Sequence, residues 1–314
     1  MTNFWQNKYV IVTGGNGFLG THLVSELKSK GCIPFVPRSN HFDLRQTAYI
    51  DALLKNGRVD ILFHLAGNVG GIGYNLERPY TLFYDNAIMG IKLIDAAIKY
   101  GIKKFVQVGT VCSYPSVSQI PFMESDLWSG YPEKTNAPYG IAKKILLTQL
   151  QAAREEFDFN GIYLIPTNLY GAGDEFADHR SHVIPALIKK FVDAKENQSI
   201  PKIWGYGGSI TRDFLYVSDA VKAIVKAAEI YNMSIPINIG SGEEISISQL
   251  VYRIANLTGY SGKIEWDKSK PEGQRRRVLS IEESKSRLQW RPEISLEQGL
   301  KATIKWYQEE KLNA

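Results

Sequence analysis

Short runs of β-branched and aromatic residues alternate with longer amphipathic stretches through the first half of the chain. Lys8 to Thr13 reads as a buried strand, and Gly20 to Lys30 as a helix with Leu23, Val24 and Leu27 on one side. Strand-like segments recur at Pro34–Val36, Ile61–Leu65, Lys104–Val108 and Tyr163–Pro166. Helical patterns at about 46–56, 85–100 and 138–156 separate them. This alternation predicts an α/β fold, a doubly wound parallel sheet with helices on both faces.

Beyond Pro166 the pattern loosens. Segment 167–181, rich in Gly, Asp and Asn, reads as loop, and 182–194 as helix. Asp213–Val217 and Pro236–Gly240 read as strands around a helix at about 218–231, and Ser246 to Thr258 as a further helix opened by Ser and Gln. No internal repeat is visible. The expected division is a dinucleotide domain of residues 1–166 plus about 211–240. A smaller mixed α/β substrate domain takes about 167–210 plus 241–314.

Composition narrows the classes. The 314 residues are 44% hydrophobic and 22% charged, enough for a sizeable core. A formal net charge of +5, spread out except at Gln274-Arg275-Arg276-Arg277, suits an anionic small molecule better than a nucleic-acid groove. Two cysteines far apart, Cys32 and Cys112, argue against a disulfide framework and for a reducing cytosol. The N-terminus shows no export signal and no apolar run is long enough to cross a bilayer, so the expectation is a soluble, cytoplasmic protein. No metal site is expected.

Thr13-Gly14-Gly15-Asn16-Gly17-Phe18-Leu19-Gly20 spaces glycines as G-x-x-G-x-x-G between a predicted strand and a predicted helix. A pyrophosphate needs close backbone approach and free N–H groups at a helix N-terminus, which this setting supplies, so a Rossmann-type dinucleotide site is expected. The alternative is an ordinary glycine-rich turn. At the end of the second strand, Val36-Pro37-Arg38-Ser39-Asn40 carries no acid before Asp43. An acid there would favour NAD, whereas Arg38 suits the extra phosphate of NADP. NADP(H) is therefore favoured over NAD(H), against a solvated surface role for Arg38.

Tyr139-Gly140-Ile141-Ala142-Lys143 puts a phenol and an ammonium at i and i+4, on one helix face. The cation is expected to lower the phenol pKa and help it exchange a proton with a carbonyl or alcohol oxygen. The preceding strand ends Gly109-Thr110, whose hydroxyl either bonds a substrate oxygen or caps the strand end.

Together these features resemble the extended short-chain dehydrogenase/reductase (NAD-dependent epimerase/dehydratase) family, in the branch of the GDP-L-fucose synthases. Leu65-Ala66-Gly67-Asn68-Val69-Gly70-Gly71-Ile72, Cys112-Ser113-Tyr114-Pro115 and Pro166-Thr167-Asn168-Leu169-Tyr170-Gly171 are similar to that branch's motifs. Ser181-His182-Val183-Ile184-Pro185, Trp204-Gly205, Thr211-Arg212-Asp213 and Asp267 to Gly273 continue the likeness in order. The resemblance implies epimerisation at C3 and C5 of GDP-4-keto-6-deoxymannose, then NADPH reduction at C4, by a homodimer. It implies Cys112 as base, His182 as acid, Tyr139 as proton donor and Lys143 as its partner, with Thr110 beside them. It further implies that Gly14, Asn16, Gly17, Phe18, Leu19, Gly20, Arg38, Asp43, Leu44, Leu65, Ala66 and Gly67 hold the cofactor. Tyr139, Lys143, Pro166, Asn168, Leu169 and His182 also face it. Val69, Gly70, Asn168, Val183, Trp204, Arg212 and Arg277 hold the nucleotide-sugar, Arg277 being interchangeable with Arg275 or Arg276. A thiol near a cationic His loses its proton readily, which suits the role of base. Read from the residues alone, Cys112 is a small buried hydrophobe, His182 a helix-start residue and the Arg275–Arg277 run a solvated loop.

Three departures stand beside the likeness. Thr110-Val111-Cys112 replaces the usual Ser-Ser-Cys, Asn68 replaces a small or basic residue, and Gly140 replaces Ala. They leave open reduction without epimerisation, or epimerisation, on a related GDP-linked deoxysugar or heptose. A dehydratase normally has an Asp-Glu pair where Val111-Cys112 stands. Retention of Tyr139 and Lys143 speaks against a non-catalytic dinucleotide-binding protein, the remaining class.

Overall fold

The computed structural model describes residues 4–55, 57–177, 180–205, 208, 210–269 and 273–313. Its first half runs β1 (Val10–Thr13), α1 (Phe18–Ser29), α2 (Thr47–Leu54), β2 (Ile61–His64), α3 (Ile72–Glu77), α4 (Pro79–Lys99), β3 (Lys104–Val108), α5 (Ala137–Phe157) and β4 (Gly161–Pro166). The chain continues through β5 (Asn168–Tyr170), α6 (Val183–Glu196), β6 (Lys202–Trp204), β7 (Thr211–Arg212), β8 (Phe214–Tyr216), α7 (Val217–Ile230) and β9 (Ile237–Ile239). It ends with β10 (Ile245–Ser246), α8 (Ile247–Thr258), β11 (Glu265–Asp267), β12 (Arg276–Arg277), α9 (Glu282–Leu288) and α10 (Leu296–Asn313).

Five strands pair in parallel in the order β1-β2-β3-β4-β9, the predicted doubly wound sheet. Successive side chains point to opposite faces. Val10, Val12, Ile61, Phe63, Val106 and Leu164 enter a core covered by α1 and α7. Ile11, Leu62, Phe105, Tyr163 and Ile165 enter a second core under α2, α4 and α5. Burial on both faces is why these strands read as unbroken apolar runs. A third core, with Leu187, Phe191, Leu250, Ile254, Leu300 and Ile304, joins α6, α8 and α10. No helix among the described residues is long and apolar enough to cross a membrane.

The structure departs from the sequence reading in four places. Pro34–Val36 supplies only a single bridge, Phe35 to Ile11: Phe35 makes both hydrogen bonds to β1, and Pro37, the next residue whose N–H would face β1, has none. Segment 167–181 is not all loop, since Asn168–Tyr170 pairs with β8, a partner that local pattern does not reveal. Helices α3, α9 and α10 had no assignment. Leu288 and Trp290, within the 241–314 stretch assigned to the smaller domain, pack into the first core of the sheet. Asp178, His179, Lys270, Pro271 and Glu272, from two of the quoted segments, lie outside the described residues.

Candidate functional site

A cavity of about 1420 Å³ opens beyond the C-terminal edge of the sheet, where ligands bind in open α/β folds. Gly14, Gly17, Phe18, Leu19 and Gly20 line it. Gly14 and Gly20 leave no room for a side chain. Gly14 has φ +73° and a Cβ there would stand 2.6 Å from the Ala66 nitrogen, while one on Gly20 would stand 2.1 Å from the Gly14 carbonyl oxygen. Helix α1 starts at this turn with no side-chain cap and no acid in its first turn, so its N–H groups and positive end are offered to an anion. The cradle fits a dinucleotide diphosphate.

Leu65, Gly67, Pro166, Asn168 and Leu169 continue the lining. Five of the expected cofactor residues, Asn16, Arg38, Asp43, Leu44 and Ala66, stand apart from it. Asn16 is exposed, and Ala66 backs Gly14 from behind. Arg38 is exposed outside the cavity. The Asp43 carboxylate is held down to about 2 by its hydrogen bonds to Arg45, which also bridges to Asp85 at 3.4 Å. Leu44 is buried core. The side chains of Asp43 and Leu44 are thus committed within the fold.

Helix α5 brings Tyr139 and Lys143 to the cavity together. It is anchored to β4 by the Tyr163 hydroxyl, which donates to the Lys143 carbonyl at 3.0 Å. Gly109 lets that ring pass, since a Cβ there would stand 2.4 Å from it. Burial lowers the Lys143 ammonium to about 8. The expected lowering of the Tyr139 phenol is reversed: burial raises it, negative charge at Cys112 adds, and a hydrogen bond with Thr110 only partly opposes. A phenol so placed keeps its proton at neutral pH.

The thiol and the imidazole, in the same cavity, each face a partner. Cys112 follows Thr110, whose Oγ1 accepts from the Cys112 N–H at 3.2 Å. Arg277 Nη1 donates to the Cys112 sulfur at 3.5 Å, and its Nε donates to Gln274 at 3.2 Å. A guanidinium, brought across by β12, therefore stands beside the thiol. His182 caps α6, and its Nδ1 lies 3.7 Å from the buried carboxylate of Asp174. The other Asp174 oxygen is buried with no hydrogen-bond partner among the described residues. Gly71 holds this segment close: its N–H donates to the Arg180 carbonyl at 3.2 Å, and a Cβ would stand 2.7 Å from the Ser181 oxygen.

Val69, Gly70, Val183, Trp204, Arg212 and Arg277 all line the same cavity. Asn168 also donates to the Asp213 carbonyl at 2.8 Å, which aligns β5 with the segment behind it. Of the three consecutive arginines, Arg277 is buried in the cavity wall, whereas exposed Arg276 pairs with Glu244 at 2.6 Å and Arg275 is exposed. Asn68 turns aside, bonding Asp85 and Tyr74, so this departure belongs to a side-chain network and not to the cavity wall. Val111 does line it. Asp174 and Gln274 were missed from sequence; nothing in the order of residues distinguishes them from loop polar groups.

The family model described as the NAD dependent epimerase/dehydratase family matches residues 10–240. A protein of Sinorhizobium fredii named GDP-L-fucose synthase is 37% identical over 294 residues, 93% of each chain. A GDP-L-fucose synthetase from Naegleria fowleri, solved bound to NADP, is 26% identical with a TM-score of 0.86 over 98% of this chain and 96% of that one. A GDP-6-OMe-4-keto-L-xylo-heptose reductase from C. jejuni shares the fold at TM-score 0.91 and 23% identity, over 99% of both chains.

Proposed function

Because the chain belongs to the NAD dependent epimerase/dehydratase family, we propose that it is an NADPH-dependent 3,5-epimerase/4-reductase of a GDP-linked 4-keto-6-deoxy sugar. One observation carries this reading: a single cavity gathers the Tyr139–Lys143 pair, the Cys112 thiol and the His182 imidazole. The names of the Sinorhizobium and Naegleria proteins support the substrate class and the cofactor.

The glycine turn and the start of α1 would hold the cofactor diphosphate, Arg38 the 2′-phosphate, and Lys143 the nicotinamide ribose. NADPH, when bound, supplies hydride. The chain's own groups handle protons. A ketone at C4 acidifies the hydrogens on C3 and C5. Cys112, with Arg277 beside it to bear the charge of a thiolate, removes them. His182, with the Asp174 carboxylate 3.7 Å behind it, returns a proton on the opposite face. Tyr139, its proton retained by burial, donates to the C4 oxygen. Asn168, Val183, Trp204 and Arg212 hold the nucleotide-sugar, with Val69 and Gly70 against it. The expected division into a dinucleotide and a substrate domain is kept, with the Leu288–Trp290 piece moved to the former.

A homodimer is part of the proposal. Tyr80, Phe83, Tyr84 and Ile91 of α4 are exposed, and Pro79, Tyr80 and Phe83 border a groove with Tyr131, Pro138 and Ile141. An apolar helix face of this kind suits a second copy. Sedimentation as a monomer at micromolar concentration would refute it. The free thiols of Cys32 and Cys112 support a reducing, cytoplasmic setting.

The deciding experiment is incubation with NADPH and GDP-4-keto-6-deoxymannose in deuterated water. A reduced product carrying deuterium at both C3 and C5 is expected. A reduced product without it rejects epimerisation, and failure to oxidise NADPH rejects the reading altogether.

A further inference from the structure

Gly140 sits where α5 crosses the turn that carries Cys112. A Cβ at Gly140 would lie 2.2 Å from the Cys112 carbonyl oxygen, 2.8 Å from its carbonyl carbon and 3.3 Å from the Ser113 nitrogen. All three neighbours are backbone atoms, so no side chain can swing aside to make room. Gly140 is not among the glycines of positive φ, and in a right-handed helix alanine is the better residue. Only the close approach accounts for glycine here.

The contact is reinforced from both directions. Ser113, fully buried, donates from its hydroxyl to the Gly140 carbonyl at 3.0 Å. Thr110 holds the other end, its Oγ1 taking the Cys112 N–H and its carbonyl taking the Ser113 N–H at 3.1 Å. The sulfur then meets Arg277 at 3.5 Å. Gln274, which orients that guanidinium, hangs by its amide from the carbonyls of Pro115 and Ser116 at 3.0 and 3.1 Å, just beyond the same turn. Thiol, guanidinium and helix are thus registered to one another through the Gly140 contact.

We infer that Gly140 is a positioning residue: its missing side chain sets how deep the Cys112 sulfur stands in the cavity, and so the proton transfers beside the ketone, while the cofactor cradle is left alone. The inference rests on the proposed function only for which protons the thiol moves.

Full-length Gly140→Ala and Ser113→Ala decide it through three readouts. These are deuterium wash-in at C3 and C5 of GDP-4-keto-6-deoxymannose without NADPH, peptide-resolved alkylation of Cys112 by iodoacetamide, and NADPH affinity by fluorescence. For Gly140→Ala, wash-in should fall on the order of 10²-fold through kcat and not KM, with NADPH affinity within about twofold, as expected of a roughly ångström-scale displacement of one reacting group. Ser113→Ala, which keeps the glycine and loses the hydroxyl's bonds to the Gly140 carbonyl and to Tyr163, should fall in the same direction by about tenfold or less. It carries the test should the alanine variant not fold. Unchanged wash-in in these variants, or NADPH affinity falling in step with it, would overturn the assignment. If the wild type itself shows no wash-in, epimerisation fails while alkylation still judges Gly140: a rate altered about fivefold or more in Gly140→Ala upholds it, and a wild-type rate sinks it.

Discussion

The residues proposed for hydride transfer and those proposed for proton transfer share one cavity but are built differently. On the hydride side, Gly14–Gly20, Tyr139 and Lys143 ride on β1, α1 and α5, elements whose inner faces fill the two cores of the sheet. On the proton side, Cys112 lies in a short turn, Asp174 in a loop, His182 at a helix cap and Arg277 in a two-residue strand. The first side takes its precision from regular structure. The second takes it from close backbone approaches, at Gly140 and Gly71, and from charges brought in by distant segments. On the proposed function, one cavity would therefore hold a reducing centre set on regular structure and a proton-transfer centre whose geometry depends on a few small contacts.

If the two sides are separable, Tyr139→Phe should lower NADPH oxidation by roughly 10²–10⁴-fold, the usual worth of a general acid. Deuterium wash-in at C3 and C5 should persist. Joint loss of both would show that the phenol serves the proton side as well. The next effect is smaller and falls on the other side. Asp174→Asn should cut wash-in by about tenfold, as expected for loss of the group behind an acid, with NADPH affinity unchanged. Wash-in at the wild-type rate would remove Asp174 from the reading.

The smallest effect is one of pH. Lys143, lowered to about 8, is an ammonium below that value and loses its proton as pH rises through it. Single-turnover reduction should therefore decline above about pH 8, and Lys143→Arg, charged throughout, should move the decline upward. A decline at the same pH in both proteins would assign it to another group. The sign for stability is opposite: the folded state disfavours the ammonium, so between about pH 8 and 10.5 the unfolded chain binds more protons and burial of Lys143 costs less as pH rises.

Much of the hydride side was readable in the order of residues. Strand runs, the glycine spacing and the Tyr139–Lys143 pair are local patterns, set by two-residue and 3.6-residue periods and by the steric needs of a strand-to-helix turn. Phe35 shows the limit even there, since Pro37 stops an apolar run at one bridge. On the proton side, sequence pattern reached Cys112 and His182 only through family likeness, and it paired them with each other. Which charge stands beside each group was decided by the tertiary structure alone. Arg277 meets a thiol 165 positions earlier in the chain, and Asp174 turns a buried oxygen toward the segment ahead of α6. Spacing along a chain dictates what shares a helix face or a strand edge, because those periods come from the backbone itself. Contacts between loops depend on how whole elements pack, and no short window of residues contains that information.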